Sequence, residues 1–136
     1  MRKAILTILM ILLWALPGCR KNSFEDSSTF AIHYMGISNI HPGETATSSP
    51  SYLGAAPTGF SIYSVVFNGN IFYDPRIDGP LDGNSIFYVD PGTGTFKIQN
   101  TSSLKAGTYK VSVKCSSAGK QYDCPDAITI IMLKEK

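Results

Sequence analysis

The stretch Thr108-Tyr109-Lys110-Val111-Ser112-Val113-Lys114-Cys115 decides the fold, because Tyr109, Val111, Val113 and Cys115 alternate with Thr108, Lys110, Ser112 and Lys114. A side-chain period of two marks a β-strand with one face in a core and the other in water. Downstream, Asp126 to Leu133 (DAITIIML) reads as a closing strand apolar on both sides. Upstream, Phe60 to Phe67 (FSIYSVVF) is a strong strand, and Asn68-Gly69 supplies the positive φ angles of a tight hairpin into Ile71 to Tyr73. Ser85 to Val89 and Thr95 to Gln99 flank the turn Asp90-Pro91-Gly92-Thr93-Gly94 as a second hairpin, and Asp74 to Asn84 (DPRIDGPLDGN) is a turn-dense loop. Thr29 to Ile37 (TFAIHYMGI) is a first strand. The Pro, Gly and Ser-rich passage from Ser38 to Thr58 then holds a short extended piece around Ser51 to Leu53. From Thr29 onward no stretch keeps a period of 3.6 for a helix's length. About seven strands at such short spacing predict an all-β, single immunoglobulin-like or cadherin-like β-sandwich over residues 29–136, with a small barrel as the alternative.

The N-terminus has a different character. Arg2 and Lys3 precede an apolar run from Ala4 to Ala15, and Leu16-Pro17-Gly18-Cys19 follows at once. That order reads as a secretory signal peptide, residues 1–18, ending in a lipobox. A small residue at Gly18 allows cleavage before Cys19, whose thiol carries a diacylglyceryl group. Several acyl chains at roughly 0.8 kcal/mol per buried methylene make a durable anchor. Cys19 is therefore the expected lipidation site, and the mature protein is expected outside the cytoplasm on a membrane surface. The alternative is an ordinary signal peptide whose cut happens to leave a cysteine, with Pro17 an unusual neighbour. A transmembrane anchor fits less well, since Pro17 and Gly18 end the apolar run short of the roughly 20 residues a span needs. Arg20 to Ser28 (RKNSFEDSS) is polar, so residues 19–28 read as a lipidated tether.

Removal of the signal peptide takes Arg2, Lys3 and the sole tryptophan, Trp14, leaving ten basic and ten acidic residues. Such a neutral, scattered balance offers no footprint for nucleic acid. With no tryptophan left, any aromatic platform for a sugar ring must be Tyr or Phe. Tyr63, Tyr73, Tyr88 and Tyr122 are candidates, each of which also fits a core or edge position.

Cys115 and Cys124 flank Ser116 to Asp123, so two antiparallel strands would bring them near each other across a hairpin. The expectation is a Cys115–Cys124 disulfide, worth about 2.7 kcal/mol in the loop-entropy view and permitted in an exported protein. Two separate thiols are the alternative, and a mass shift of two protons on reduction distinguishes them. His33 and His41 have no nucleophile beside them in sequence, and the chain lacks G-x-S-x-G, H-E-x-x-H and P-loop motifs. Asp74, Asp78 and Asp82 with Asn84 stand at a spacing that suits turns rather than a calcium loop. No enzyme chemistry, cofactor or metal site is expected. Asn100-Thr101-Ser102 matches the N-glycosylation pattern, which a lipobox-bearing bacterial protein leaves unread.

Two stretches carry a resemblance. Phe87-Tyr88-Val89-Asp90-Pro91-Gly92-Thr93-Gly94-Thr95-Phe96 and Leu104-Lys105-Ala106-Gly107-Thr108-Tyr109-Lys110-Val111-Ser112-Val113 are similar to the acidic turn, Thr-Gly, strand, then Gly-x-Tyr signature of cadherin-like and immunoglobulin-like domains. With the lipobox and Ala56-Pro57-Thr58-Gly59-Phe60-Ser61-Ile62, the chain resembles the N-terminal domain of surface glycan-binding lipoproteins of the Bacteroidota over about Thr29 to Leu133. That resemblance implies an outer-membrane, cell-surface lipoprotein beside a TonB-dependent glycan transporter. Its N-terminal sandwich would serve mainly as a spacer, with polysaccharide held by a larger C-terminal domain. The chain stops at Lys136, so the expectation is a non-enzymatic glycan-binding or accessory module with weak or partner-dependent sugar binding. A structural or adhesive surface module without sugar binding is the alternative.

Overall fold

Tyr109, Val111, Val113 and Cys115 are buried to 2% exposure or less, while Lys110 and Lys114 between them are exposed. The structure is a computed structural model that describes residues 20–21 and 30–135. In chain order its elements are β1 (Arg20–Lys21), β2 (Ala31–Tyr34), β3 (Ile37–Ile40), β4 (Ala46–Ser48), β5 (Pro50–Leu53), β6 (Thr58–Phe67), β7 (Asn70–Tyr73), α1 (Pro75–Asp78), β8 (Phe87–Val89), β9 (Phe96–Ile98), a 3-10 turn (Thr101–Ser103), β10 (Gly107–Ser117) and β11 (Lys120–Met132). The larger sheet runs β1-β11-β10-β6-β7, with β3 joined in parallel to β11. A three-stranded sheet, β4-β9-β8, and the pair β2-β5 supply the other strands. The core draws Val65, Val111, Val113, Ile128 and Ile130 from the larger sheet and Phe87, Val89, Phe96 and Ile98 from the three-stranded one. The all-β immunoglobulin-like sandwich read from the sequence is the observed fold.

The strands number eleven among the described residues rather than about seven. The expected first strand, Thr29 to Ile37, is broken in two: β2 pairs antiparallel with β5, and β3 pairs parallel with β11. Gly36 marks the break, passing so close to β11 that an added Cβ would stand 3.2 Å from the Thr129 carbonyl oxygen. The extended piece expected at Ser51 to Leu53 is β5, and β4 is a further short strand in the same passage. Inside the expected tether, Arg20 and Lys21 form β1 and pair with Asp123 and Tyr122. The lipidation site Cys19, the signal peptide and residues 22–28 of the tether lie outside the described residues.

Both hairpins form where turn chemistry placed them. Asn68 and Gly69 have φ of 48° and 86°, as the β6–β7 turn requires. At the β8–β9 turn, the Asp90 carboxylate accepts hydrogen bonds from Gly92 and Thr93 N–H, each 2.9 Å. These two bonds, that from Thr93 first, hold the Asp90 carboxyl below its ordinary pKa. Gly94 follows at φ 78°, with the Phe60 ring so close that an added Cβ would approach it to 2.5 Å.

The corner before β10 carries its own constraint. Tyr109 is 1% exposed, and its hydroxyl donates to the Lys105 carbonyl oxygen at 3.0 Å. This is the tyrosine corner of immunoglobulin-like domains. Its ring lies 4.5 Å from Phe67 and 5.7 Å from Phe87, centroid to centroid, and meets Phe72 edge-on at 5.6 Å. Gly107 precedes it at φ 150°, where a Cβ would meet the Phe67 ring at 2.5 Å.

The expected Cys115–Cys124 disulfide is not formed: Cys115 is a free, buried thiol. The tight turn at Ala118-Gly119 sets Cys115 opposite Tyr122 and Cys124 opposite Val113. The two cysteines are therefore diagonal neighbours, about 7–8 Å apart at Cα, beyond the reach of an unstrained bridge. Cys124 is likewise buried. The β10–β11 ladder also departs from simple alternation. Between Val111↔Ile128 and Val113↔Cys124 strand β11 carries two extra residues, with Asp126 at φ 50°. The Asp126 N–H donates to Ser112 Oγ at 2.9 Å, which is why Ser112 is buried on the face that should be wet.

Two outcomes follow. Tyr109→Phe leaves the Lys105 carbonyl without its partner and is expected to cost about 1–2 kcal/mol in urea unfolding, whereas Gly94→Ala, adding overlap to an unfavourable φ, costs about 2–4 kcal/mol. Equal losses would contradict this account of the two turns. Burial pushes the Cys115 thiol up to about 11, so a neutral-pH thiol reagent is expected to leave Cys115 unmodified in the native protein and to label it in denaturant. Rapid native labelling of Cys115 would show the strand to be open.

Candidate functional site

Tyr73 ends β7 and Tyr88 is the middle residue of β8; sequence separates them, and the fold places both on one cleft. Pro75, Pro80 and Leu81 from the loop after β7, Ile62 of β6, Val89 of β8 and Pro91 of the following turn make its walls apolar. Ser61 and Lys114 complete the lining. The cleft measures about 270 Å³. An apolar hollow with a few convergent polar groups is the usual form of a small-ligand site.

The loop between β7 and β8 holds its shape through its own aspartates. Asp74 caps α1, its Oδ1 accepting from Arg76 N at 2.9 Å, and its carboxylate also takes Arg76 Nη2 at 2.8 Å. Pro75 occupies the first helical position, where its missing N–H is no loss. Asp78 Oδ2 accepts from Asp74 N at 2.9 Å, and Asp82 Oδ1 accepts from Asn84 N at 2.8 Å. The side-chain bond from Arg76 holds the Asp74 carboxyl below the usual carboxylate range. The Tyr73 hydroxyl donates to the Gly79 carbonyl, and burial, with Asp78 and Asp74 adding, raises its pKa. The turn role read for Asp74, Asp78, Asp82 and Asn84 is thus the role they have. Among the described residues no three His, Cys, Asp or Glu side chains gather as a metal site would require.

On the outer face of β8, Tyr88 is half-buried, with Lys97 Nζ of the neighbouring β9 at 5.9 Å from its ring centroid. Of the four tyrosines considered as platforms, Tyr73 and Tyr88 line the cleft. Tyr122 is buried against Phe30, centroids 4.4 Å apart, and Tyr63 is half-buried on β6, off the cleft. The prolines, Leu81, Ile62, Val89 and Lys114 were not foreseen as lining; the recurrence of proline at 75, 80 and 91 is the one signal in sequence that marks an apolar wall. A second depression, formed by Val66, Asn68, Gly69, Thr108, Lys110 and Asp126, has no aromatic ring and opposes a lysine to an aspartate.

The histidines stay apart from both. His33 is exposed on β2, and His41 Nδ1 lies 2.8 Å from the Lys134 carbonyl oxygen. In the glycosylation pattern, Thr101 is fully buried, its hydroxyl donating to the Glu44 carbonyl at 2.6 Å and accepting from Gly43 N–H at 2.8 Å. That side chain is a structural tie between loops.

Comparison with known proteins places the chain. Residues 17–136 match the family model described as surface glycan binding protein BT4661-like, N-terminal. Among solved structures, BT4661 of Bacteroides thetaiotaomicron, a SusE-like surface located polysaccharide binding protein from the heparin utilisation locus, is 35% identical with a TM-score of 0.62. The match covers 76% of this chain and 16% of BT4661, so the chain spans a small part of that protein's length. The N-terminal four immunoglobulin domains of Dscam1 isoform 4.4 match at 10% identity and a TM-score of 0.44, over 81% of this chain and 27% of that one. None of the curated proteins compared matches the chain. With its immunoglobulin-like core, its tyrosine corner and a match running from residue 17 to its last residue, the chain belongs to the BT4661-like surface glycan binding proteins, as their N-terminal domain.

Proposed function

We propose that this protein is a non-enzymatic cell-surface module of polysaccharide capture, held on the bacterial outer membrane by a lipid at Cys19. It works as an accessory or spacer domain beside a TonB-dependent glycan transporter. The observation that carries this reading is the family match over residues 17–136, supported by 35% identity to a surface located polysaccharide binding protein. The sequence Leu16-Pro17-Gly18-Cys19 after a charged and then apolar N-terminus supports export and lipidation. The absence of nucleophile motifs is consistent with binding rather than catalysis.

Mass spectrometry of the N-terminal peptide from membrane-extracted protein tests the anchor. A diacylglyceryl thioether on Cys19 is expected, and Cys19→Ala is expected to move the protein from the membrane to the soluble fraction. A Cys19 found in a disulfide, or a variant still membrane-bound, would overturn lipidation, because one sulfur cannot hold both bonds. Calorimetric titration of the mature chain against a polysaccharide panel, with affinity purification from the outer membrane, tests the role. Binding to a polysaccharide or recovery of a transporter supports it, and the failure of both would sink it.

A further inference from the structure

Strand β1 changes the geometry of the expected anchor. Arg20 and Lys21 lie in register with Asp123 and Tyr122 on the edge of β11, and Cys19 is the residue before Arg20. Consecutive Cα atoms stand about 3.8 Å apart, so a lipid on Cys19 leaves the chain within one residue of the sheet and not at the end of a free tether. The surroundings of that point are apolar. Tyr122 meets Phe30 with ring centroids 4.4 Å apart; Ala31, next in the chain, pairs with Leu53 of β5, and Ile32 pairs with Tyr52. Ser117 Oγ donates to the Ala55 carbonyl at 2.7 Å, tying the same segment to the Ala118-Gly119 turn between β10 and β11. One corner of the domain thus gathers the β1 edge, that turn and the stretch Ser51-Tyr52-Leu53-Gly54-Ala55-Ala56, every residue of which is exposed. Leu53 is 70% exposed and Tyr52 49%.

A bare leucine, two alanines and a tyrosine on one corner suit an apolar partner, and the neighbouring anchor decides which one. Residues 51–56 carry no charged side chain, so their contact is apolar and insensitive to salt. An amphipathic phenol at headgroup level, with aliphatic side chains beneath it, is the arrangement by which a protein surface lies in a bilayer interface. We propose that this corner seats on the headgroup and upper acyl region of the bilayer that holds the anchor, with Leu53 inserted and Tyr52 at headgroup level. The domain then keeps one fixed face toward the membrane. The proposal rests on the reading of Cys19 as lipidated. A weak contact suffices, because the anchor makes it intramolecular and the corner meets lipid at a high effective concentration. Ile71, 69% exposed on β7, lies at the opposite edge of the larger sheet, four strand spacings or about 19 Å from β1. The same seating turns β7 away from lipid.

Fluorescence of the membrane-extracted protein, reconstituted in phosphatidylcholine vesicles, tests the seating. The mature chain has no tryptophan, so Leu53→Trp and Ile71→Trp each place a single reporter. Both positions are exposed, and neither change disturbs the core. In vesicles with brominated acyl chains, emission from position 53 is expected to shift to the blue and fall about threefold, as for a side chain at the headgroup and acyl boundary, while emission from position 71 stays as in water. Tyr52→Trp, a second reporter, should be quenched less strongly from its shallower level. Equal quenching at positions 53 and 71, or none at 53, would overturn the seating. A blue shift at 53 without quenching would put protein on the corner, a second copy or another partner, and loss of quenching in high salt would make the attraction electrostatic; either result overturns it too. The mass of the N-terminal peptide separates the two levels. Cys19 without a diacylglyceryl group removes the lipidation reading and this proposal with it, whereas lipidated Cys19 with position 53 in water removes the proposal alone.

Discussion

The hydrogen bond from the Tyr109 hydroxyl to the Lys105 carbonyl fixes the point at which the chain turns from its last loop into the long central strand. Everything packed on β10 inherits that position. The Tyr109 ring reaches Phe67 and Phe72 on one side and Phe87 of the opposing sheet on the other, so one side chain sets both a turn and the contact between layers. A buried phenol is tolerable only with a partner for its hydroxyl, and the corner supplies one from the backbone four residues earlier. Strand β10 in turn carries β6 on one edge and β11 on the other. The cleft is built on that frame, with Lys114 on β10, Ile62 on β6 and Tyr73 at the end of the strand that β6 holds.

How much was legible in the sequence follows from which interactions are local. The alternation Tyr109, Val111, Val113, Cys115 and the pairs Asn68-Gly69 and Asp90 to Gly94 express their physics within a few residues, and all three read correctly. The split of the first strand did not, since Gly36 matters through its distance to Thr129, nearly a hundred residues away. The cysteine pairing failed for a related reason. Spacing brings Cys115 and Cys124 near one another, but a tight turn at Ala118-Gly119 selects Tyr122 as the residue opposite Cys115. The two extra residues in β11, with Asp126 on Ser112, likewise have no signature in a one-dimensional pattern. Of the cleft, Tyr73 and Tyr88 were visible as candidates, but their union with Lys114 and three prolines depends on tertiary packing.

Membership of the glycan-binding family and the shape of this domain bear on different questions. The family places the chain at one end of a longer relative, of which it spans 16%. The domain itself is held together by aromatic packing and turn hydrogen bonds, and Asp74, Asp78, Asp82 and Asp90 are committed to local structure. What it offers outward is a small cleft with proline walls, and that choice of wall residue matters because proline carries little conformational entropy to lose when a ligand arrives.

The parallel pairing of β3 with β11 has a mechanical meaning. Ile37 and Ile40 lie beside Ile130 and Met132, and the Leu133 N–H donates to the Ile40 carbonyl at 2.7 Å. Force that pulls β3 and β11 in opposite directions along their axes loads these bonds together, in shear, instead of unzipping them one at a time.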